Sequence, residues 1–275
     1  MFSTKDIMLH HVTLVLIVIS VLSACGLLPE QGEDTQNWSA NKFYTEAKEK
    51  LNNGNYEAAI KLFEGLEARY PYGRYAQQAQ LETAYAHYKD QEPASAIAAA
   101  DRFIKLHPNH PNVDYAYYIK GLANYHDNWG IMSFMMRGFL KQDMSERDSK
   151  ASRESFDNFR ELVKRFPDSK YAADSRQRMA HLLNVIAMNE VHVARYYMKR
   201  KAYVAAANRA QFAVREYPRT PATEEALYIM AQAYNALGMH DLSDDAERVL
   251  KQNFPDSEFL EDIHETENPP WWKIW

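Results

Sequence analysis

Apolar residues recur along this chain at helical intervals, and prolines mark where each run stops. Five prolines directly follow an aromatic or imidazole ring, at Tyr70-Pro71, His107-Pro108, Phe166-Pro167, Tyr217-Pro218 and Phe254-Pro255. The fifth residue before each proline is Leu66, Phe103, Leu162, Ala213 or Leu250, always apolar, and the twelfth is Ala59, Ala96, Ser155, Ala206 or Ser243, always small. This predicts a helix with one buried face, crossed closely at the small position and ended at the proline, whose ring and missing N–H forbid continuation. Seventeen residues before Pro71 and Pro255 stand Gly54 and Gly238, which suit the residue just past the end of a preceding helix. Twenty-four residues before Pro71, Pro108 and Pro255 are Ala47, Ala84 and Ala231, again small where a first helix meets a second. Each proline therefore closes a unit of two helices.

The order small residue, aromatic, glycine turn, small residue, aromatic, closing proline resembles the tetratricopeptide repeat, most clearly in Phe43, Ala47, Ala59, Phe63 and Pro71. The resemblance implies an all-α tetratricopeptide-repeat solenoid of five helix pairs over residues 41–255, with insertions in repeats three and four. The prolines are 37, 59, 51 and 37 residues apart, so two units carry extra length. In repeat four the surplus is close to four helical turns, which predicts one lengthened helix over roughly residues 171–200. In repeat three it falls around residues 127–149, where Trp129, Ile131, Met132, Phe134, Met135, Met136, Phe139 and Leu140 are broken by Gly130 and Gly138. This reads either as a methionine-rich contact site or as a lid on neighbouring repeats. Beyond Pro255, residues 256–275 comprise an N-cap at Asp256-Ser257, a capping helix over about 258–265, the stop Pro269-Pro270 and the tail Trp271-Trp272-Lys273-Ile274-Trp275. The tail reads as docking on a partner, lying at a membrane interface or folding back over the last repeat.

Residues 12–22 form an apolar stretch of signal-peptide length, well short of the roughly 20 residues that span a bilayer. Leu22-Ser23-Ala24-Cys25 follows and resembles the bacterial lipobox. That resemblance implies removal of residues 1–24 and S-diacylglyceryl and N-acyl groups on Cys25, whose combined chains make an effectively permanent anchor. Gly26 rather than aspartate after the cysteine implies the outer membrane. Asp6 beside Lys5 leaves the segment before the apolar core barely positive, a departure from the usual pattern. Residues 25–40, with Pro29, Gly32, Glu33 and Asp34, read as a lipidated flexible tether.

Composition narrows the function. The 275 residues are 46% hydrophobic and 25% charged, enough for a real core, and nine glycines and eleven prolines encode few turns. A net charge of −5, from 32 basic and 37 acidic residues, speaks against nucleic acid as a partner. The single cysteine excludes an intramolecular disulfide and a cysteine-rich zinc site. The chain has no phosphate-loop, zinc-protease or nucleophile-elbow motif, so no enzyme activity is expected, and no cofactor or metal beyond the acyl groups on Cys25. His107 and His110 are the nearest to a metal pair, but they lack companion ligands, and the His107 ring stands where other units carry an aromatic.

In the tetratricopeptide register the concave face includes Tyr44 and Lys48 in repeat one, Tyr85, Tyr88 and Lys89 in repeat two, and Tyr118 and Tyr125 in repeat three. A groove lined with phenols suits an extended peptide bearing aromatic side chains. The competing expectation is that about half of these rings pack between helices. Tyr44 and Thr45 stand where chaperone-tail receptors of this repeat class carry a lysine and an asparagine, which argues against that subtype.

More specific runs cover residues 40–255: Arg69-Tyr70-Pro71-Tyr72-Gly73, Tyr75-Ala76-Gln77-Gln78, Ala86-His87-Tyr88-Lys89, Asp101-Arg102-Phe103-Ile104 and His107-Pro108-Asn109-His110-Pro111-Asn112-Val113-Asp114-Tyr115. With Gly121-Leu122, Phe166-Pro167-Asp168-Ser169-Lys170-Tyr171 and Ala194-Arg195-Tyr196-Tyr197, they resemble the BamD family of outer-membrane assembly lipoproteins. The resemblance implies a periplasm-facing subunit of the β-barrel assembly machinery. Its implied partners are the barrel subunit that carries POTRA domains, companion lipoproteins and the C-terminal strands of unfolded outer-membrane proteins. The first repeats would take those strands, and Arg209, in Ala207-Asn208-Arg209, matches a contact position toward the barrel subunit. Read without the family, Arg209 is equally a solvated charge. The tryptophan tail and the insert around 129–140 depart from the family pattern. The rival reading is a tetratricopeptide scaffold lipoprotein for a pilus secretin or a cell-division complex.

Overall fold

The computed structural model describes residues 35–125 and 149–260. Cys25, the signal segment, the insert 129–140 and the tail 271–275 lie outside the described residues. Among those described, the secondary structure is helical, in ten α-helices: α1 (Ala40–Asn52), α2 (Tyr56–Arg69), α3 (Arg74–Lys89), α4 (Pro93–Leu106), α5 (Val113–Ala123), α6 (Ser149–Arg165), α7 (Ala172–Lys199), α8 (Tyr203–Glu216), α9 (Ala222–Ala236) and α10 (His240–Asn253). Each packs on the next, and α1 also touches α3, α3 touches α5 and α7 touches α9. The odd-numbered helices thus line one side of the array. This is the layered all-α arrangement of a tetratricopeptide solenoid, in which each pair buries its apolar face only by stacking on its neighbours.

The proline grammar holds in three dimensions. Leu66, Phe103, Leu162, Ala213 and Leu250 are fully buried, as are Ala59, Ala96, Ser155 and Ala206, while Ser243 is nearly so. Every ring before a proline caps its helix by donating its backbone N–H to the carbonyl four residues back, Tyr70 to Leu66 and Phe254 to Leu250 each at 2.8 Å. The two serines at the close crossings are satisfied by the partner helix: Ser155 Oγ donates to the Gly121 carbonyl at 2.8 Å and Ser243 Oγ to that of Ala231 at 2.9 Å.

The turns inside the pairs repeat one geometry. Asn55 N–H reaches the Lys50 carbonyl, Glu92 that of His87, Ala202 that of Tyr197 and Met239 that of Tyr234, at 2.9, 2.9, 3.0 and 2.9 Å. These are the six-to-one bonds of a Schellman ending, whose left-handed residue precedes the donor. Gly54 (φ +78°) and Gly238 (φ +72°) take that residue's conformation as the sequence predicts, and Gln91 (φ 61°) and Lys201 (φ 58°) take it without glycine.

The surplus in repeat four is α7 itself, a 28-residue helix at Ala172–Lys199, close to the expected bounds. Ala194, twenty-four residues before Pro218, is fully buried, so the added turns lie toward the start of α7. In repeat three the small residue is Gly121, displaced upstream of its expected register by the insertion. A Cβ there would run into the Phe159 ring.

The tether is shorter than expected. Trp38 is buried against Phe43, with ring centroids 5.2 Å apart, and its carbonyl accepts the Tyr70 hydroxyl at 2.7 Å. Arg69 donates to the Thr35 and Gln36 carbonyls at 2.5 and 2.8 Å, and Ser39 caps α1 by accepting from Lys42 N–H at 3.3 Å. Residues 35–39 therefore belong to the first unit, because an indole buried against α1 and α2 has left water. At the other end, Ser257 Oγ accepts from Phe259 N–H at 3.3 Å where residues 258–260 turn helical, and the rest of the expected capping helix lies outside the described residues.

Candidate functional site

The odd-numbered helices carry a line of half-buried phenols. Tyr44 on α1 lies 5.7 Å from Tyr75 and 6.0 Å from Phe63 between ring centroids; Tyr85 on α3 lies 6.1 Å from Tyr88 and 6.5 Å from Tyr115 on α5. One carboxylate sits among them. Glu82 accepts from Lys48 Nζ at 2.9 Å and from the Tyr44 hydroxyl at 3.4 Å. Burial, then the Glu82 charge, pushes the Tyr44 phenol up to about 12. Burial pushes Tyr115 higher still, with Glu82 the next cause. The structure thus brings together Tyr44, Lys48, Tyr85 and Tyr88 on one face, with Lys89 exposed at the end of α3.

Tyr118 on α5 and Tyr125, two residues past its end, are spent on the next unit. Tyr118 stacks on Tyr171 at 4.6 Å and donates its hydroxyl to Asp174 Oδ2 at 2.6 Å; Arg178 Nε donates to the same oxygen at 2.6 Å. The Arg178 guanidinium lies 4.6 Å over the Tyr125 ring, which also meets Phe159 and His181 edge-on at 6.1 Å. Burial and the bond to Asp174 push Tyr118 up to about 12. At Asp174 burial works against the charged form, but the hydrogen bonds from Arg178 and Tyr118 outweigh it and hold the carboxyl below its usual range. These two rings fasten α5 to α6 and α7, so the open part of the groove runs from α1 to the start of α5.

Glu82, Tyr75, Tyr115 and Tyr171 were not singled out from sequence. Tyr115 had a usable signal, since it stands six residues before Gly121 as Asn41 and Gln78 stand before Ala47 and Ala84. Finding it required knowing that Gly121 is the small residue of its unit.

Arg209 on α8 is a paired charge with an exposed flank. Its Nη1 donates to Glu190 Oε2 at 2.8 Å, and Arg153 Nη2 on α6 donates to Glu190 Oε1 at the same distance. Arg153 Nη1 also reaches the Tyr217 hydroxyl at 2.9 Å. The Glu190 side chain is 4% exposed, whereas those of Arg153 and Arg209 are 41% and 48% exposed. One buried carboxylate therefore orients two guanidinium groups toward solvent. Neither Glu190 nor Arg153 was picked out by sequence, although an acid between the buried Ala187, Val191 and Ala194 on one helix face is a signal of a buried ion pair.

His107 and His110 both rest on Phe103, at 5.1 and 5.2 Å. Glu67 accepts from Gln80 Nε2 at 3.0 Å and from Arg102, so the Gln80 oxygen faces His107 Nε2 at 3.1 Å and that nitrogen carries the proton. The pair closes an inter-unit turn.

Residues 36–250 match the family described as outer membrane lipoprotein, YfiO. The chain is 48% identical over 257 residues, 92% of its length and 95% of the relative's, to the outer membrane protein assembly factor BamD of Neisseria meningitidis serogroup A. It is 34% identical over 252 residues, 92% and 84% of the two chains, to the BamD of Xylella fastidiosa Temecula1. Among solved structures, the MamA protein aligns over 84% of this chain and 96% of its own at 13% identity, with a TM-score of 0.34. With one family covering nearly the whole helical array and relatives matched almost end to end, the chain belongs to the YfiO family of outer membrane lipoproteins, that of the BamD assembly factors.

Proposed function

We propose that this chain is a lipid-anchored subunit of the β-barrel assembly machinery, held at the periplasmic face of the outer membrane through Cys25. It helps to recognise barrel proteins and to assemble and insert them into the membrane. The observation that carries this reading is the near end-to-end identity of 48% with an outer membrane protein assembly factor. The chain acts as a scaffold: its array offers surfaces rather than a reacting group. Alternate residues on one side of an extended strand are about 6.8 Å apart. The groove rings, in mutual contact at 5.7–6.5 Å, offer a continuous aromatic surface to such residues, and Glu82 and the phenol hydroxyls offer polar partners to the strand. The POTRA-bearing barrel subunit docks on the exposed flank of Arg209, beside companion lipoproteins of the complex.

The test is co-purification from detergent-solubilised outer membranes with a tagged full chain and its Arg209→Ala variant. Alanine is preferred to glutamate, because a second carboxylate beside buried Glu190 would disturb folding, whereas Arg209→Ala leaves Glu190 paired with Arg153. Recovery of a POTRA-bearing barrel protein, weakened by the substitution, is expected. Recovery of a secretin or a division protein with no barrel subunit would overturn the reading. For the groove, Tyr85→Ala with Tyr88→Ala should weaken binding of a sorting-strand peptide more than it lowers Tm. A dominant loss of Tm would place both rings in the core.

A further inference from the structure

On the edge where α7 turns into α8 and α9 into α10, an open groove of about 460 Å3 is lined by Tyr203, Val204, Ala205, Asn208 and Leu237, with Lys201 at its rim. Its walls are apolar, and the apolar surface continues outward: Val204 is 59% exposed and Met239, two residues beyond Leu237, is 48% exposed. Adjoining it, Lys199, Arg200 and Lys201 are all exposed and form no ion pair with the described residues. Arg200 lies 5.3 Å over the Tyr196 ring, which is itself on the surface. An apolar groove beside three exposed cations has the chemistry of a site for an acidic, tryptophan-bearing segment.

The chain itself carries such a segment. Residues 261–267 include Glu261, Asp262, Glu265 and Glu267, and after Pro269-Pro270 come Trp271, Trp272, Ile274 and Trp275. Leu260, seven residues beyond α10, packs in the cluster around Leu250 near the end of that helix, and the groove lies at its beginning, about 21 Å back along a 14-residue helix at 1.5 Å per residue. The eleven residues from Leu260 to Trp271 can extend to roughly 36 Å, which exceeds that distance. Charge, apolarity and reach coincide on one occupant. We infer that the tryptophan tail docks in the α7–α8 edge groove of its own chain, its rings against Val204 and Leu237 and its later acids, Glu265 and Glu267, toward Lys199, Arg200 and Lys201. This inference stands apart from the assembly role and survives if that role fails.

The experiment uses the full chain with Cys25→Ser, which removes the native thiol, in neutral phosphatidylcholine nanodiscs. One variant pairs Val204→Cys with Ile274→Cys; a control pairs Glu57→Cys, exposed on α2 at the far end of the array, with Ile274→Cys. Under mild oxidation at low protein concentration, the first pair should form a disulfide within one chain and the control should not. Replacing Lys199, Arg200 and Lys201 with glutamate should slow that disulfide about tenfold with Tm unchanged. Equal trapping at both positions, disulfides only between chains, or no disulfide at all would overturn the inference. So would a dye on the introduced thiol of the Ile274→Cys chain that becomes buried only when phosphatidylglycerol vesicles are added, since the tail would then belong to a lipid surface.

Discussion

Gln91 and Lys201 hold the left-handed conformation that Gly54 and Gly238 hold in equivalent turns, each with a side chain that crowds its own carbonyl. Gln91→Gly and Lys201→Gly should each stabilise the fold by about 1 kcal/mol, raising Tm by a few degrees in thermal melts. Gly121 is the opposite case. A methyl group there runs first into the Phe159 ring, and that ring is fully buried, so Gly121→Ala should cost about 1–3 kcal/mol in denaturant unfolding. Adding Phe159→Leu should recover part of the loss. The phenols make a third prediction. Tyr44 and Tyr118 ionise at about 12 in the folded chain and Tyr115 later still, against about 10 when unfolded. Their contribution is complete below pH 10 and is lost as the pH rises toward and past 12, because the unfolded chain releases those protons first. Phenolate absorbance of the folded protein should therefore show a late-titrating class that shrinks in Tyr118→Phe; a single step near 10 would contradict the geometry.

Among elements, α6, α7 and α8 are tied at one point. Glu190 on α7 sits between Arg153 of α6 and Arg209 of α8, and either arginine alone still pairs it. Arg153→Ala and Arg209→Ala should each be mild. The double variant leaves a buried carboxylate with no cation, so it should lose about 1–3 kcal/mol beyond the sum of the singles. Additive losses in a double-mutant cycle would mean that solvent already reaches Glu190. The helices themselves follow from local rules: prolines stop them and small residues set their crossings. The junction does not, since Arg153 and Tyr217 meet across 64 residues of sequence and Tyr118 and Asp174 across 56.

For the molecule as a whole, the array and the proposed anchor are separable. No helix among the described residues is long and apolar enough to cross a membrane. If Cys25 carries the acyl groups, Cys25→Ala should keep the helical signature and Tm of the array while abolishing outer-membrane fractionation; normal fractionation would refute the lipid anchor. The array's length and order were legible in the chain because each rule behind them acts within a few residues. A proline lacks an N–H wherever it falls, a helix crossing admits only small side chains, and added whole turns lengthen α7 without changing its buried face. Tertiary structure decided what depends on distant partners. It drew Trp38 out of the expected tether, moved the small position of repeat three to Gly121, spent Tyr118 and Tyr125 on the α5–α7 junction, and seated Glu190 between two arginines. In each case the deciding group, an indole pocket, a ring, a carboxylate or a guanidinium, lies on another helix, and no local pattern records which helix will arrive.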